Sequence, residues 1–164
     1  MERSAVISNC GTYRYTLRRR WEPALFARGF VLWIMLNPST ADAVDDDATI
    51  RKCIGFTQRW KYGWLEVANL FALRSRNPAA LAATDYPIGP ENDAHLARLI
   101  NEASVVMVGW GDSGPAKLTA ARAEHIRQLV VLTKKVAWCL GKTATGAPKH
   151  PSRPGYATAI EVWA

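Results

Sequence analysis

The sequence predicts an α/β protein. Three observations carry that reading: apolar runs of about five to eight residues, the length of buried strands; stretches of helical periodicity between them; and a run from Phe30 to Leu36 that stops abruptly at Asn37-Pro38. Proline ends a hydrogen-bonded ladder and biases the residue before it towards extended backbone, so Asn37 is held at the mouth of a buried strand. Ligands of open parallel sheets gather outside the carboxyl ends of the strands. Asn37 is therefore the first candidate functional residue.

The elements follow in order. Val6 to Ser8 and Tyr13 to Leu17 flank the turn-forming Asn9-Cys10-Gly11-Thr12 and predict an amino-terminal hairpin at a sheet edge. The central sheet starts at Phe30. After the Asn37 loop, Asp45-Asp46-Asp47-Ala48-Thr49 suits a helix amino terminus, and Ile50, Cys53, Ile54, Thr57 and Trp60 form a helical stripe ending near Gly63. Leu65 to Phe71 is the next strand, and it leads into a long alanine- and proline-rich connection from Ala72 to Pro90. Pro90-Glu91-Asn92-Asp93 opens a helix with a stripe of Ala94, Leu96, Ala97, Leu99 and Ile100. Val105 to Val108 is a strand ending at Gly109-Trp110-Gly111, Ala116 to Leu132 a long helix, and Val136 to Leu140 a strand. A Gly/Pro-rich stretch, 141 to 155, closes the pattern.

Composition bounds the rest. A chain of 164 residues with 49% hydrophobic residues and seven tryptophans has the apolar area for one domain spanning 1–164. No run approaches the ~20 apolar residues of a membrane span, and Met-Glu-Arg-Ser does not open a signal peptide, so a cytoplasmic protein without a membrane partner is expected. Cys10, Cys53 and Cys139 are too few and too scattered for a zinc motif or a disulfide framework. Net charge is +7, with Arg14, Arg18, Arg19 and Arg20 near the start and Lys134, Lys135, Lys142, Lys149 and Arg153 later. Such an excess favours a polyanionic partner, nucleic acid or nucleotide.

Four strand ends carry conspicuous polar groups: Asn37, Asn69, Gly109 to Asp112, and His150 to Ser152. If the strands run parallel, all four share one rim. An amide such as Asn69 offers two donors and an acceptor, which suits a planar heterocycle, although bracing a loop is an equally available role. His150 has the chemistry of a general acid or an oxyanion donor, and Ser152 adds a hydroxyl suited to phosphate. Asp45 to Asp47 have the charge for a divalent metal, but consecutive carboxylates point apart and no further ligand follows at the right spacing. A solvated helix start is the preferred reading, and no metal is expected. No Gly-x-Ser-x-Gly elbow, Walker pattern or dinucleotide glycine pattern occurs, so no cofactor is expected either.

In order along the chain, Met35-Leu36-Asn37-Pro38-Ser39, Ala68-Asn69-Leu70-Phe71-Ala72-Leu73-Arg74, Val108-Gly109-Trp110-Gly111 and His150-Pro151-Ser152 resemble the motifs of the uracil-DNA glycosylase superfamily. Nearly the whole chain is also similar to a bacterial and phage family known as domain of unknown function 1643. That similarity rests on Tyr13 to Leu17, Leu36 to Asp42, Asn69 to Arg74, Gly89-Pro90-Glu91-Asn92-Asp93 and His150-Pro151.

The glycosylase resemblance implies a three-layer α/β/α fold with a central, mainly parallel four-stranded sheet and the hairpin at its edge. It implies a nucleobase N-glycosylase or related base-processing hydrolase. Asn37 would hold the attacking water and Asn69 would read the base edge. Trp110, or else Phe56 or Trp60, would stack on the base. His150 and Ser152 would grip a phosphate or a base oxygen, with Ser39, Arg74 and Arg153 as further phosphate contacts. A polymer substrate would need its base flipped. The chain departs from the pattern at Met35, where a glycine usually stands, and in the acids Asp42 and Asp45 to Asp47, which repel a phosphate backbone and favour a small nucleotide or base. Asp42 is a second candidate for activating water. Two other classes of function remain: a nucleic-acid or nucleotide-binding module without catalysis, and a metal-dependent hydrolase using Asp42 and Asp45 to Asp47.

Overall fold

The computed structural model describes residues 1–23 and 25–164. Its centre is a mixed sheet of seven strands: β1 (Glu2–Ile7), β2 (Arg14–Arg20), β3 (Val31–Met35), β4 (Trp64–Asn69), β5 (Val105–Val108), β6 (Ala137–Cys139) and β7 (Glu161–Val162). Their spatial order is β1-β2-β4-β3-β5-β6-β7. The four inner strands β4-β3-β5-β6 are parallel, and β1, β2 and β7 extend the sheet antiparallel at its two edges. The expected parallel core of four strands and the edge hairpin are present, but the sheet is wider than four strands. The hairpin strands are longer than the turn signals suggested, and β7 pairs with β6 through two exposed residues that carry no strand pattern.

Helices cover both faces. α1 (Ala48–Arg59) packs Ile50, Cys53, Ile54 and Phe56 against Val31, Trp33, Leu65, Val67 and Met107 on one side. α3 (Asn92–Glu102) and α4 (Ala116–Leu132) pack Leu96, Leu99, Ile100, Ala123, Ile126 and Val130 against Leu32, Ile34, Ala68, Val106 and Val108 on the other. The alternation along each strand divides the residues between the two cores. The connection 72–90, read from sequence as loop, contains one short turn of helix, α2 (Ala80–Ala83), which buries Leu81.

Two features of this frame set up the site. The chain leaves β3 towards β4 through α1, whereas β5 lies on the opposite side of β3, so the strand order reverses between β3 and β5. Crevices at such reversals open beyond the carboxyl ends of the strands. The second feature is a β-bulge in β2. Ile7 pairs with Arg14 and Val6 with Thr16, so Tyr15 is the extra residue. Beyond it Leu17 joins the α1-side core, whereas Tyr15 stacks on His95 of α3 on the other face. The extra residue restores Arg14 to the α1 side, the side of Leu17 and Arg19; a regular strand would turn it away.

Candidate functional site

A cleft of about 160 Å³ opens where the order reverses. Its floor is the end of β3 with Met35, Leu36 and Asn37, beside Asn69 at the end of β4. Its walls come from Arg14, from Ser39, from Asp47, Thr49 and Ile50 at the start of α1, and from Pro78, Trp110, Ser113 and His150. A cavity of ~150 Å³ holds one benzene-sized ring, so this cleft matches a single planar ring better than a whole nucleotide.

Asn37 is fixed by its own amide. Nδ2 lies 3.1 Å from the Pro38 carbonyl, 3.2 Å from that of Leu73 and 2.9 Å from that of Ser75. Three carbonyls admit only the NH2 end, so Oδ1 is the end left without a protein donor among the described residues. The same contacts tie the loop after β3 to the one after β4, reinforced by the Ser75 N–H donating to the Pro38 carbonyl at 2.9 Å.

Asn69 is 1% exposed, and its Oδ1 has no partner among the described residues. Its backbone is well held. The parallel ladder continues past it, with Leu70 N–H donating to Met35 O at 2.9 Å. Asn92 Nδ2 donates to the carbonyls of Asn69 and Leu70 at 3.0 and 3.2 Å, and Arg122 Nε adds a bond to Leu70 at 2.8 Å. The strand end is thus satisfied while the side chain it presents to the cleft is not. An unpaired buried amide oxygen carries the desolvation cost of that group, ~1–3 kcal/mol.

Gly109 and Gly111 bring His150 to the cleft. A Cβ on Gly109 would stand 3.0 Å from the Lys149 carbonyl and 3.1 Å from Pro151 Cδ, and Gly111, at φ +64°, donates its N–H to Pro148 at 2.9 Å. The segment 148–151 therefore lies directly against the end of β5. His150 Nδ1 accepts from the Ser152 N–H at 3.3 Å and stands 2.7 Å from Ser152 Oγ. With Nδ1 an acceptor, the neutral ring carries its proton on Nε2. Burial pushes the His150 pKa below its ordinary value, against a smaller opposing pull from Asp47.

Asp47 caps α1, Oδ1 accepting from Ile50 N–H at 2.9 Å, and it is the one carboxylate lining the cleft among the described residues. Asp42 is elsewhere. Its Oδ1 accepts from the N–H groups of Val44 and Asp45 at 2.8 and 2.9 Å, bonds that hold its carboxyl below the usual range, and it does not line the cleft. Asp46 pairs with the fully buried Arg19 at 2.7 Å and with Arg3 at 2.8 Å. The acidic run is thus partly a clasp onto β2 rather than a wholly solvated helix start. Among the described residues no three His, Cys, Asp or Glu side chains gather at ligand spacing.

Of the residues singled out from sequence, Asn37, Ser39, Asn69, Trp110 and His150 meet in the cleft. Trp110 is 3% exposed and packs edge-on against Trp163 at 4.9 Å, so it belongs to the core with one side at the cleft. Arg74 lines a neighbouring polar groove with Ser39 and the acidic run, and Nη1 donates to the Gly11 carbonyl at 3.2 Å. Arg153 lines a third hollow with His150 and Lys149, and the exposed Ser152 braces His150. Sequence reasoning missed Arg14, Thr49 and Ser113, and named Asp47 only within the acidic run, as a helix start or a metal ligand. Asp47 had a signal, its position before a helical stripe; Arg14 had none, standing in a strand with three other arginines.

Among the described residues no helix is long and apolar enough to cross a membrane. No curated protein and no solved structure matches the chain. The chain belongs to the family described as a protein of unknown function (DUF1643), whose family model matches residues 14–152.

Proposed function

We propose that this chain is a base-processing hydrolase, a nucleobase N-glycosylase acting on a nucleotide or nucleic acid. The observation that carries the reading is Asn69: a buried amide with an unpartnered Oδ1 beside a ring-sized cleft at the reversal of strand order. The four motifs resembling the uracil-DNA glycosylase superfamily support it, since three of the four contribute the cleft residues Asn37, Asn69 and His150, and Trp110 comes from the other.

In the proposed reaction the bond between the sugar and the ring nitrogen breaks, and its electron pair leaves with the base. The sugar acquires oxocarbenium character. Asn37 Oδ1 orients a water, whose oxygen bonds to the anomeric carbon. The water's proton ends on the base, giving a free base and a sugar hydroxyl. An amide oxygen is a poor proton acceptor, so Asn37 acts by positioning, and Asp47 supplies the negative charge that favours the cationic sugar. Asn69 pairs with a ring N–H and its neighbouring carbonyl. His150 Nε2–H donates to a phosphate or a base oxygen.

A second reading is favoured by the amide of Asn37, whose three carbonyl contacts brace the loops whether or not catalysis occurs. This is a nucleotide-binding module on the same frame. Incubating the protein with nucleosides, nucleotides and oligonucleotides carrying uracil, hypoxanthine, xanthine or modified pyrimidines separates the two. The hydrolase releases free base, seen by mass spectrometry, and loses that activity on Asn69→Leu. Binding without release in every substrate would establish the module instead.

A further inference from the structure

Arg14 is the side chain of the cleft that its surroundings leave least satisfied. It is 2% exposed, and a guanidinium so deep is normally paired with a carboxylate. Among the described residues none lies within ion-pair distance; Asp47, in the same cleft, raises its pKa through space, but burial outweighs this and lowers the pKa to about 10. Arg14 is thus still a cation at neutral pH. Nη1 donates to the Ala41 carbonyl at 2.5 Å, whereas Nε has no partner, and no bond from Nη2 to the protein is present either.

Arg19, five residues on, shows what a buried arginine in this strand does when its role is structural. Nε meets Asp46 at 2.7 Å, Nη2 meets the Asp42 carbonyl at 2.6 Å and Nη1 the Arg18 carbonyl at 2.8 Å. The contrast, and the bulge at Tyr15 that turns Arg14 to the cleft side, indicate an arginine kept for something not made by the protein.

The free edge has a definite shape. With Nη1 engaged, Nε and Nη2 form a planar fork of parallel donors, which fits two adjacent acceptors sharing one negative charge. A departing pyrimidine has that pattern on its ring nitrogen and the neighbouring carbonyl oxygen. We propose that Arg14 is an anion-recognition residue of the cleft, binding the N–C–O edge of a deprotonated base while Asn69 takes the opposite edge. This rests on the base-processing reading for the ligand's identity and adds the group that holds the base anion once the sugar has separated from its ring nitrogen.

The test is calorimetric binding of two free rings, uracil and a nitrouracil that is an anion at neutral pH, with inorganic phosphate as a third probe. Wild-type protein should bind the nitrouracil at least about tenfold more tightly than uracil, as a charge-assisted bidentate pair requires. Arg14→Met should abolish that preference, and Arg14→Lys, which keeps the charge without the fork, should retain a fraction of it. Equal binding of the two rings by the wild type, binding of neither, or capture of phosphate without the nitrouracil would each overturn the proposal without needing a variant to fold. Anion-selective binding that depends on Arg14, in a protein that releases no base from any substrate, would uphold this inference and sink the hydrolase reading.

Discussion

The backbone carbonyl of Lys149 lies 3.0 Å from the position a Cβ would take on Gly109, and that approach seats His150 beside the end of β5. The neighbour is backbone rather than a flexible side chain, so it has little room to yield. Gly109→Ala should lower stability by ~1–3 kcal/mol, the cost of overpacking a close contact, and should weaken ring binding in the cleft. Gly155→Ala is the control: nothing lies within 4 Å of its Cβ position, and the change should be neutral or stabilise by under about 1 kcal/mol. Urea unfolding of both variants decides the matter, and equal stability of the two would remove the steric account of how His150 is placed.

Arg19 and Arg3 both pair with Asp46, at 2.7 and 2.8 Å, yet their side chains are 0% and 38% exposed. Removing the buried partner leaves Asp46 with the exposed Arg3 alone and takes the Arg19 donors from the carbonyls of Asp42 and Asp45. Arg19→Met should cost ~3–5 kcal/mol, and Arg3→Ala no more than ~1 kcal/mol. Denaturant midpoints give both values; comparable losses would mean that the clasp is not what holds the acidic loop.

How much of this was legible in the sequence varies with the kind of signal. β5 (Val105–Val108) and α4 (Ala116–Leu132) have the limits read from the sequence; an apolar run stopped by Gly109 marks the first, and Gly114-Pro115 marks the start of the second. Asn37, Asn69 and Trp110 were legible as strand-end residues, and their convergence follows once the inner strands are parallel. His150, well beyond the end of β6, reaches the cleft because its segment packs on Gly109 and Gly111. β7 was not legible, since its two residues are exposed and too few to show an apolar alternation. Nor was Arg14. Alternation along Arg14-Tyr15-Thr16-Leu17-Arg18-Arg19-Arg20 assigns it to the face of Arg18 and Arg20, and only the pairing register reveals the bulge that reverses this. Asp42 and Asp47 were separable only by geometry, one bonded to its own loop and the other capping α1 at the cleft.

The two asparagines of the cleft should respond to substitution in opposite ways. Asn37 donates to three carbonyls, so Asn37→Ala should cost ~1–3 kcal/mol, and Asn37→Asp should cost more, because a carboxylate turned on those oxygens is repelled. Asn69 has a buried oxygen with no partner, so Asn69→Leu should be close to neutral or stabilising while ring binding is lost, the pattern expected of a residue retained for function. Thermal unfolding together with calorimetry reads both effects. Destabilisation by Asn69→Leu as large as that by Asn37→Ala would assign Asn69 a structural role.

His150 provides a test in pH. Burial lowers its pKa, Asp47 opposing and Arg153 adding to the effect; burial and Arg98 likewise lower that of His95, against Glu91. Both rings therefore protonate more readily in the unfolded chain, where histidine titrates near ~6.5. Between the folded-state value and that pH the unfolded state binds more protons, so stability is complete above about 6.5, falls as the pH is lowered, and levels off below the folded values. At His150 the cause is burial, and the geometry agrees with a neutral ring, since Nδ1 accepts from the Ser152 N–H. His150→Gln should flatten part of the slope, and His95→Gln the remainder contributed by that ring. NMR titration assigns each ring, and a His150 that titrates at or above about 6.5 would contradict both the buried neutral imidazole and the Nε2–H donor it offers to the cleft.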